Sequence, residues 1–404
     1  MARPASRRER RVLLLFLDGV GIGPDEPAVN PFLQARLPVL RDLLGGSLPT
    51  LSRPAPMGGS ARTIAMDACL GVPGLPQSGT GQISLLTGMN AARRFGAHFG
   101  PWPPVRLREL LERQNLLTRA VQAGIPTVFA NAYPEGYPGD RPYRRLAAPP
   151  LAARAAGILT RHHGELARGE AVASEIVNQG WRKMLGFQSI PPVTAAEAGQ
   201  ALARLANGAR LTLFAHYLTD LAGHRGGMEG AVAALERVDD FLQGIRADLD
   251  PDVTVVVASD HGNVEDVRAG HTRNPALGLV WGPEADTLAS RCPDLTHVAP
   301  QLLRLLDVPF SHPAAPENGR ASVTDTETTA GPDTETEAGV ATPGSGDPGE
   351  EESDRGVGGE RHTEASPRGE DVGSSGGEDL GSTQGGGLGS NGGGGSSSGG
   401  SPRR

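Results

Sequence analysis

Two short apolar runs, each ending in an aspartate, constrain this chain more than any other feature. Residues 12–17 (Val-Leu-Leu-Leu-Phe-Leu) lead into Asp18-Gly19, and residues 253–258 (Val-Thr-Val-Val-Val-Ala) lead into Ser259-Asp260-His261-Gly262-Asn263. A continuous apolar run of this length, with no polar alternation, suits a strand covered on both faces, as strands of parallel sheets are. Residues 126–132, 211–217 and 277–281 are further strand candidates. Helical spacing appears at 32–44, 81–86, 105–117, 194–205 and 231–245, with Pro38 interrupting the first of these. Thr194 with Glu197 three residues on reads as a capping box. Strands separated by helices predict an α/β fold, a mostly parallel central sheet flanked by helices.

Composition matters once it is divided along the chain. The net charge is −8 over 404 residues, yet residues 313–404 carry 17 acidic and 6 basic side chains, leaving 32 basic and 29 acidic in the first 312. Every one of the 16 aromatic residues lies before position 313, while 24 of the 57 glycines lie after it. The last stretch cannot bury enough apolar surface to offset the entropy of ordering it, so it is expected to be a disordered, acidic, Gly/Ser-rich tail. The sequence thus divides into a first core part at 1–92, a smaller inserted cap or set of elaborated loops at 93–206, a second core part at 207–312, and the tail at 313–404.

The nearly neutral body lacks the basic bias of a dedicated nucleic-acid binder. No apolar run approaches the ~20 residues that span a bilayer, so no membrane partner is expected. The start of the chain superficially resembles a signal peptide, but its apolar run has six residues and stops at Asp18. With only Cys69 and Cys292, the chain also lacks a disulfide framework. A cytoplasmic location is expected.

The chemistry gathers at strand ends, where ligands of open α/β sheets collect. The run at 211–217 leads into Asp220 and His224, four apart and therefore on one face of a helical turn. Asp18, Asp260 and His261 end the two strongest strands, and His271 follows. Carboxylates and imidazoles without thiolates favour Mn²⁺, Zn²⁺ or Mg²⁺ over a structural zinc site. Two ions sharing such ligands suit phosphoryl transfer. Ser78, in Leu75-Pro-Gln-Ser-Gly-Thr80-Gly-Gln82, precedes an apolar helix and is a candidate nucleophile, although taken alone it reads as a helix cap. Arg93, Arg94, Arg141, Arg144 and Arg145 read first as a solvated face and otherwise as a clamp for a substrate anion. Asn131-Ala-Tyr-Pro-Glu-Gly-Tyr137 is a strand end and turn that can face the site.

Taken together, residues 16–23 (Phe-Leu-Asp-Gly-Val-Gly-Ile-Gly), Ser78 with Thr87-Gly88, Asp220-Leu-Ala-Gly-His224, residues 259–265 (Ser-Asp-His-Gly-Asn-Val-Glu) and residues 270–275 (Gly-His-Thr-Arg-Asn-Pro) resemble the alkaline phosphatase superfamily. Within it the chain is most similar to the branch of cofactor-independent phosphoglycerate mutase and phosphopentomutase. That resemblance implies an alkaline-phosphatase-like core and two divalent metal ions. One would be held by Asp220, His224 and His271, the other by Asp18, Asp260, His261 and the Ser78 hydroxyl. It further implies transfer through phospho-Ser78, by a phosphomutase or a phosphatase acting on a small anionic phosphate ester. Gln82, Arg225 and Arg273 are the expected substrate contacts. Where the phosphoglycerate mutase branch has Ser-Glu-Val-Gly-His, this chain has Ser78-Gly-Thr-Gly-Gln82, so the sugar-phosphate specificity of that branch does not transfer. Hydrolysis of a phosphodiester, phosphonate or sulfate ester stays open, as does a non-catalytic metal-binding scaffold.

Overall fold

A computed structural model describes residues 9–55, 58–137, 146–268 and 270–311. The chain forms two units, Met1–Asp347 and Pro348–Arg404. The second unit, the whole of the expected tail and Arg141, Arg144 and Arg145 lie outside the described residues.

Among the described residues there is one six-stranded sheet. Its strands are β1 (Arg11–Leu17), β2 (Arg62–Met66), β3 (Thr127–Phe129), β4 (Leu211–His216), β5 (Val253–Ala258) and β6 (Ala276–Trp281), in the order β2-β6-β5-β1-β4-β3. β1 lies between β4 and β5 and is parallel to both, β3 is parallel to β4, and β6 is antiparallel to β5 and β2. The expected α/β architecture is therefore present, with one reversed strand. All residues of β4 and β5, and all of β1 after Arg11, are buried.

Because side chains alternate across a strand, the apolar run of β1 feeds two layers. Val12, Leu14 and Phe16 pack with Ile83, Leu117 and Leu302 on one face, whereas Leu13, Leu15 and Leu17 pack with Phe32, Leu202 and Phe241 on the other. Both faces being covered is what excludes polar alternation from this strand.

The helices differ from expectation where a local residue outcompetes periodicity. The single helix expected over 32–44 is two, Pro31–Gln34 and Pro38–Leu43. Pro38 has no N–H to continue the first helix but starts the second one well. The helix expected over 105–117 is likewise divided, into Arg108–Gln114 and Leu116–Gln122, with the Asn115 side chain accepting from the Thr118 N–H and so capping the second. The Thr194–Glu197 capping box opens the helix Ala195–Asn207, with the Glu197 carboxylate accepting from the Thr194 N–H at 2.8 Å. β2 has no counterpart among the strands expected from sequence: three of its five residues are buried, but it is short and follows a stretch of Gly, Ser and Pro.

The stretch 93–206 supplies β3 and the helix Ala148–Ala155, whose Leu151 and Ala152 join the core beside β1. It also holds a small cluster of its own around Leu166, Trp181 and Ile190. At the start of β1, Arg10 reaches Glu284 at 3.1 Å and Asp307 at 3.8 Å. Among the described residues no helix is long and apolar enough to cross a membrane.

Candidate metal and nucleophile site

Three neighbouring parallel strands, β4, β1 and β5, deliver their following residues to the same edge of the sheet, which is how residues far apart in sequence meet. Asp18 follows β1, and Asp260 and His261 follow β5. Asp220 and His224 lie on the helix Leu218–Arg225, directly after β4. His271 is on the loop before β6, its Nδ1 3.0 Å from the Pro76 carbonyl.

The result is one continuous cluster. Asp220, His224 and His271 place ligand atoms close enough to share an ion, and so do Asp18, Asp220 and His261, which makes Asp220 common to both groups. Asp220 Oδ2 lies 3.5 Å from His224 Nε2, as the four-residue helical spacing requires. Asp18 Oδ1 lies 3.4 Å and Asp260 Oδ2 3.7 Å from His261 Nε2. Ser78 is buried at the first position of the helix Ser78–Thr87, and its Oγ is 2.9 Å from His261 Nε2.

Ser78 and Thr80 differ in what their hydroxyls face. The Ser78 hydroxyl turns into the cluster instead of capping the helix, and the helix has no side-chain cap. The Thr80 hydroxyl accepts from the Phe99 N–H at 3.1 Å and sits against the loop outside the cluster.

Several features fit divalent ions. Asp18 Oδ1 and Asp260 Oδ2 are buried without hydrogen-bond partners. The Nε2 atoms of His224 and His271 approach to 3.0 Å. With His271 Nδ1 facing a carbonyl acceptor, Nδ1 carries the hydrogen and Nε2 presents its lone pair, so the two imidazoles converge on a point that a cation would satisfy. Burial, reinforced by Asp260, holds the Asp18 carboxyl well above the usual carboxylate range, and burial also raises Asp260. Burial opposes charge on His261, but Asp260, Asp18 and Asp220 outweigh it and push the imidazole up to about 10. Burial and then the neighbouring His261 pull His271 down to about 3. Carboxyls crowded so that they resist ionising together are relieved by a bound cation.

Two buried residues hold this cluster and were not singled out as site residues from sequence. Glu265, wholly buried, accepts from the N–H groups of Gly21 at 2.9 Å and Asn263 at 2.7 Å, and from Thr272 Oγ1 at 2.5 Å and Asn274 Nδ2 at 3.0 Å. It therefore ties the turn after β1 to the loops carrying His261 and His271. Asn263 donates to Asp220 Oδ1 at 2.7 Å. Their signal in sequence was a carboxylate and an amide set in an otherwise small-residue loop. Backbone approach is correspondingly tight: a Cβ on Gly21 would stand 2.5 Å from the Glu265 carboxyl carbon.

A cavity of about 70 Å³ opens beside Ser78, Asp18 and Asp220. Gln82 also lines it, but its amide donates to Asp18 Oδ2 at 2.9 Å and accepts from the Ala148 N–H at 3.1 Å. The remaining wall is Pro101, Trp102, Tyr133, Tyr137, Ala147, Pro150 and Tyr217. The turn at 131–137 thus faces the site through its two tyrosines, whereas Trp102 and Tyr217 drew no attention in the sequence. Arg225 and Arg273 are exposed and do not line this cavity, and Arg93 and Arg94 are exposed on the short helix Ala91–Phe95. His98 faces the Val72 carbonyl and His162 that of Tyr133, both apart from the cluster.

Residues 191–309 match the family model described as the metalloenzyme superfamily. The matched segment contains Asp220, His224, Asp260, His261 and His271, and it agrees with the resemblance at the level of the superfamily and not of any one branch. Asp18 and Ser78 precede it. No curated protein matches the chain. Among solved structures, similarity extends to the PH0037 protein from Pyrococcus horikoshii, at 13% identity and a TM-score of 0.46 over 76% of this chain and 99% of that one. It extends also to the alkaline phosphatase of the Antarctic bacterium TAB5 (11%, TM-score 0.39, 74% and 99%) and to the PsFucS1 sulfatase from Pseudoalteromonas sp. (14%, 0.39, 74% and 68%).

Proposed function

We propose that this chain is a two-metal phosphoryl-transfer enzyme in which Ser78 is the nucleophile. The observation that carries the reading is the Ser78 hydroxyl, buried at a helix start and turned into a cluster in which Asp18 Oδ1 and Asp260 Oδ2 are buried without hydrogen-bond partners. Asp220, His224 and His271 would hold one ion. Asp18, Asp260, His261 and Ser78 would hold the other, with Asp220 between the two. When bound, Mn²⁺, Zn²⁺ or Mg²⁺ supplies the positive charge that lowers the pKa of the serine hydroxyl and draws charge from a phosphate ester.

Ser78 Oγ attacks phosphorus as its hydroxyl proton is lost, the bond to the ester oxygen breaks, and that oxygen takes up a proton and leaves with the organic group as an alcohol, so the step is proton-neutral overall. The phosphoryl group then passes from Ser78 to water in a phosphatase, or to a second hydroxyl of the substrate in a mutase, and either restores the serine. The positive end of the ten-residue helix Ser78–Thr87 favours an anionic group at its first turn. Gln82 keeps Asp18 oriented.

The test is a screen of phosphorylated metabolites with Mn²⁺ or Zn²⁺ present, scoring isomerised product separately from free phosphate, with phosphodiester, phosphonate and sulfate esters alongside. Ser78→Ala is expected to reduce phosphomonoester turnover by about a thousandfold or more while bound metal persists. A purified protein without divalent ions, or a Ser78→Ala variant at full turnover, overturns the reading.

A further inference from the structure

We infer that the Tyr217 hydroxyl is a contact for the phosphoryl group being transferred, and that Tyr133 is the positioning residue that aims it; this rests on the phosphoryl-transfer reading above. Both side chains line the cavity together with Ser78 and Asp18. Their hydroxyls are hydrogen-bonded to each other. Burial acts most strongly on the Tyr217 hydroxyl, but Asp18 is also near enough for its charge to be felt there. Tyr217 therefore stands at the end of the cavity that holds the carboxylates and Ser78 Oγ, where a phosphoryl group taken up by Ser78 has its oxygens. A phenol is protonated at neutral pH and can donate to such an oxygen. Two hydroxyls joined by one hydrogen bond use only one of their two hydrogens for it. With Tyr133 donating to Tyr217, the Tyr217 hydrogen is left for the anion, and the two bonds in series polarise each other.

The pair is held in place by the strands that carry it. Tyr217 directly follows β4 and caps the helix Leu218–Arg225, which bears Asp220 and His224. Thr219 Oγ1 donates to the Asp18 carbonyl at 2.6 Å and so ties that helix start to the residue after β1. The turn after β3 is fixed by Asn131, which is wholly buried. Its Nδ2 donates to the Ala215 carbonyl and its Oδ1 accepts from the Ala215 N–H, each at 2.8 Å, which lays Tyr133 alongside Tyr217. Each ring also rests on a buried phenylalanine of a neighbouring strand. Tyr217 stands edge-on to Phe16 with centroids 6.3 Å apart, and Tyr133 stacks on Phe129 at 6.1 Å. Rings braced in this way fix the direction of their hydroxyls before an anion arrives, so little ordering is left to oppose binding.

The test is calorimetric titration of inorganic phosphate into the metal-loaded protein and into its Tyr217→Phe, Tyr133→Phe and doubly substituted variants, with bound metal measured on each. Both substitutions keep the braced ring and remove only the hydroxyl. Tyr217→Phe is expected to weaken phosphate binding about tenfold or more, as loss of a hydrogen bond to an anion does, with metal content unchanged. Tyr133→Phe is expected to weaken it about threefold, and the double variant to match Tyr217→Phe, because Tyr133 acts only through Tyr217. Unchanged affinity in Tyr217→Phe, or affinity lost only together with metal, overturns the contact while leaving phosphoryl transfer standing. Equal losses in the two single variants mark a merely structural pair and overturn it too. A further loss in the double variant overturns the positioning role of Tyr133. A metal-loaded parent protein that binds no phosphate overturns the phosphoryl-transfer reading as well.

Discussion

Glu265 illustrates how the site is organised at the scale of a residue. Its carboxylate receives four hydrogen bonds, from Gly21, Asn263, Thr272 and Asn274, and so fixes three segments that carry ligands or touch them. Glu265→Ala would leave buried donors unsatisfied and is expected to cost about 3 kcal/mol in urea denaturation. The ligands would lose their orientation, with metal affinity falling about 10–100-fold by competition with a chelator. Glu265→Gln should be milder, because one amide oxygen still accepts from Gly21 and Asn263 while Thr272 and Asn274 can turn to accept from its NH₂. Equal damage from both variants would contradict this account. Much of the cluster of candidate ligands was legible in sequence because it sits where strong strands stop, and Asp220 with His224 is a helical repeat. Glu265 was less so, since a buried carboxylate facing four donors looks in sequence like any surface acid. Ser78 and Thr80 are told apart only in three dimensions, where one hydroxyl faces His261 and the other Phe99.

Among elements, the closest helix contact outside the site joins Ala195–Asn207 to Gly227–Asp248. A Cβ on Gly244 would stand 1.9 Å from the Ala196 carbonyl oxygen, and one on Gly199 2.2 Å from that of Phe241. Intrinsic propensity says that Gly244→Ala should stabilise a helix interior by about 1 kcal/mol. Contact with backbone at this distance forces the helices apart and outweighs that gain, so a net loss of about 2 kcal/mol is expected in urea denaturation. Stabilisation would show that the helices can slide without penalty. Helix existence was readable from periodicity, and Pro38 marked one weak point, but the break at Asn115 was not readable: it caps a new helix where the apolar spacing runs on undisturbed. β2 was invisible for a related reason. Its pairing with the reversed strand β6 is a long-range choice that five residues do not announce.

For the molecule as a whole, acid stability should depend on His216, buried at the end of β4 with Nδ1 2.7 Å from the Ser174 carbonyl and Nε2 without a partner. Burial pulls its pKa from 6.5 to about 4. A lowered folded value means that the unfolded chain binds the proton first. Stability is therefore fully present above the unfolded value near 6.5 and is lost as pH falls towards about 4, by about 3 kcal/mol in all. Relative to His216→Gln, the parent protein should lose that much more unfolding free energy between about pH 7 and about pH 4. Parallel curves for the two would remove His216 as the cause.

The sheet order explains why so much of the architecture could be read from two apolar runs: β1 and β5 are adjacent, inner and parallel. The contacts of Arg10 with Glu284 and Asp307 carry a further consequence. The entrance to β1 and the exit from the last helix among the described residues, Val298–Leu305, stand side by side, on the sheet's opposite edge from the candidate ligands. A body whose two ends meet away from its working face is portable. Splicing it into a surface loop of another protein, or joining its ends and reopening it elsewhere, is expected to leave divalent-metal binding by the carboxylates and histidines at the far edge unchanged, as titration with the metal would show.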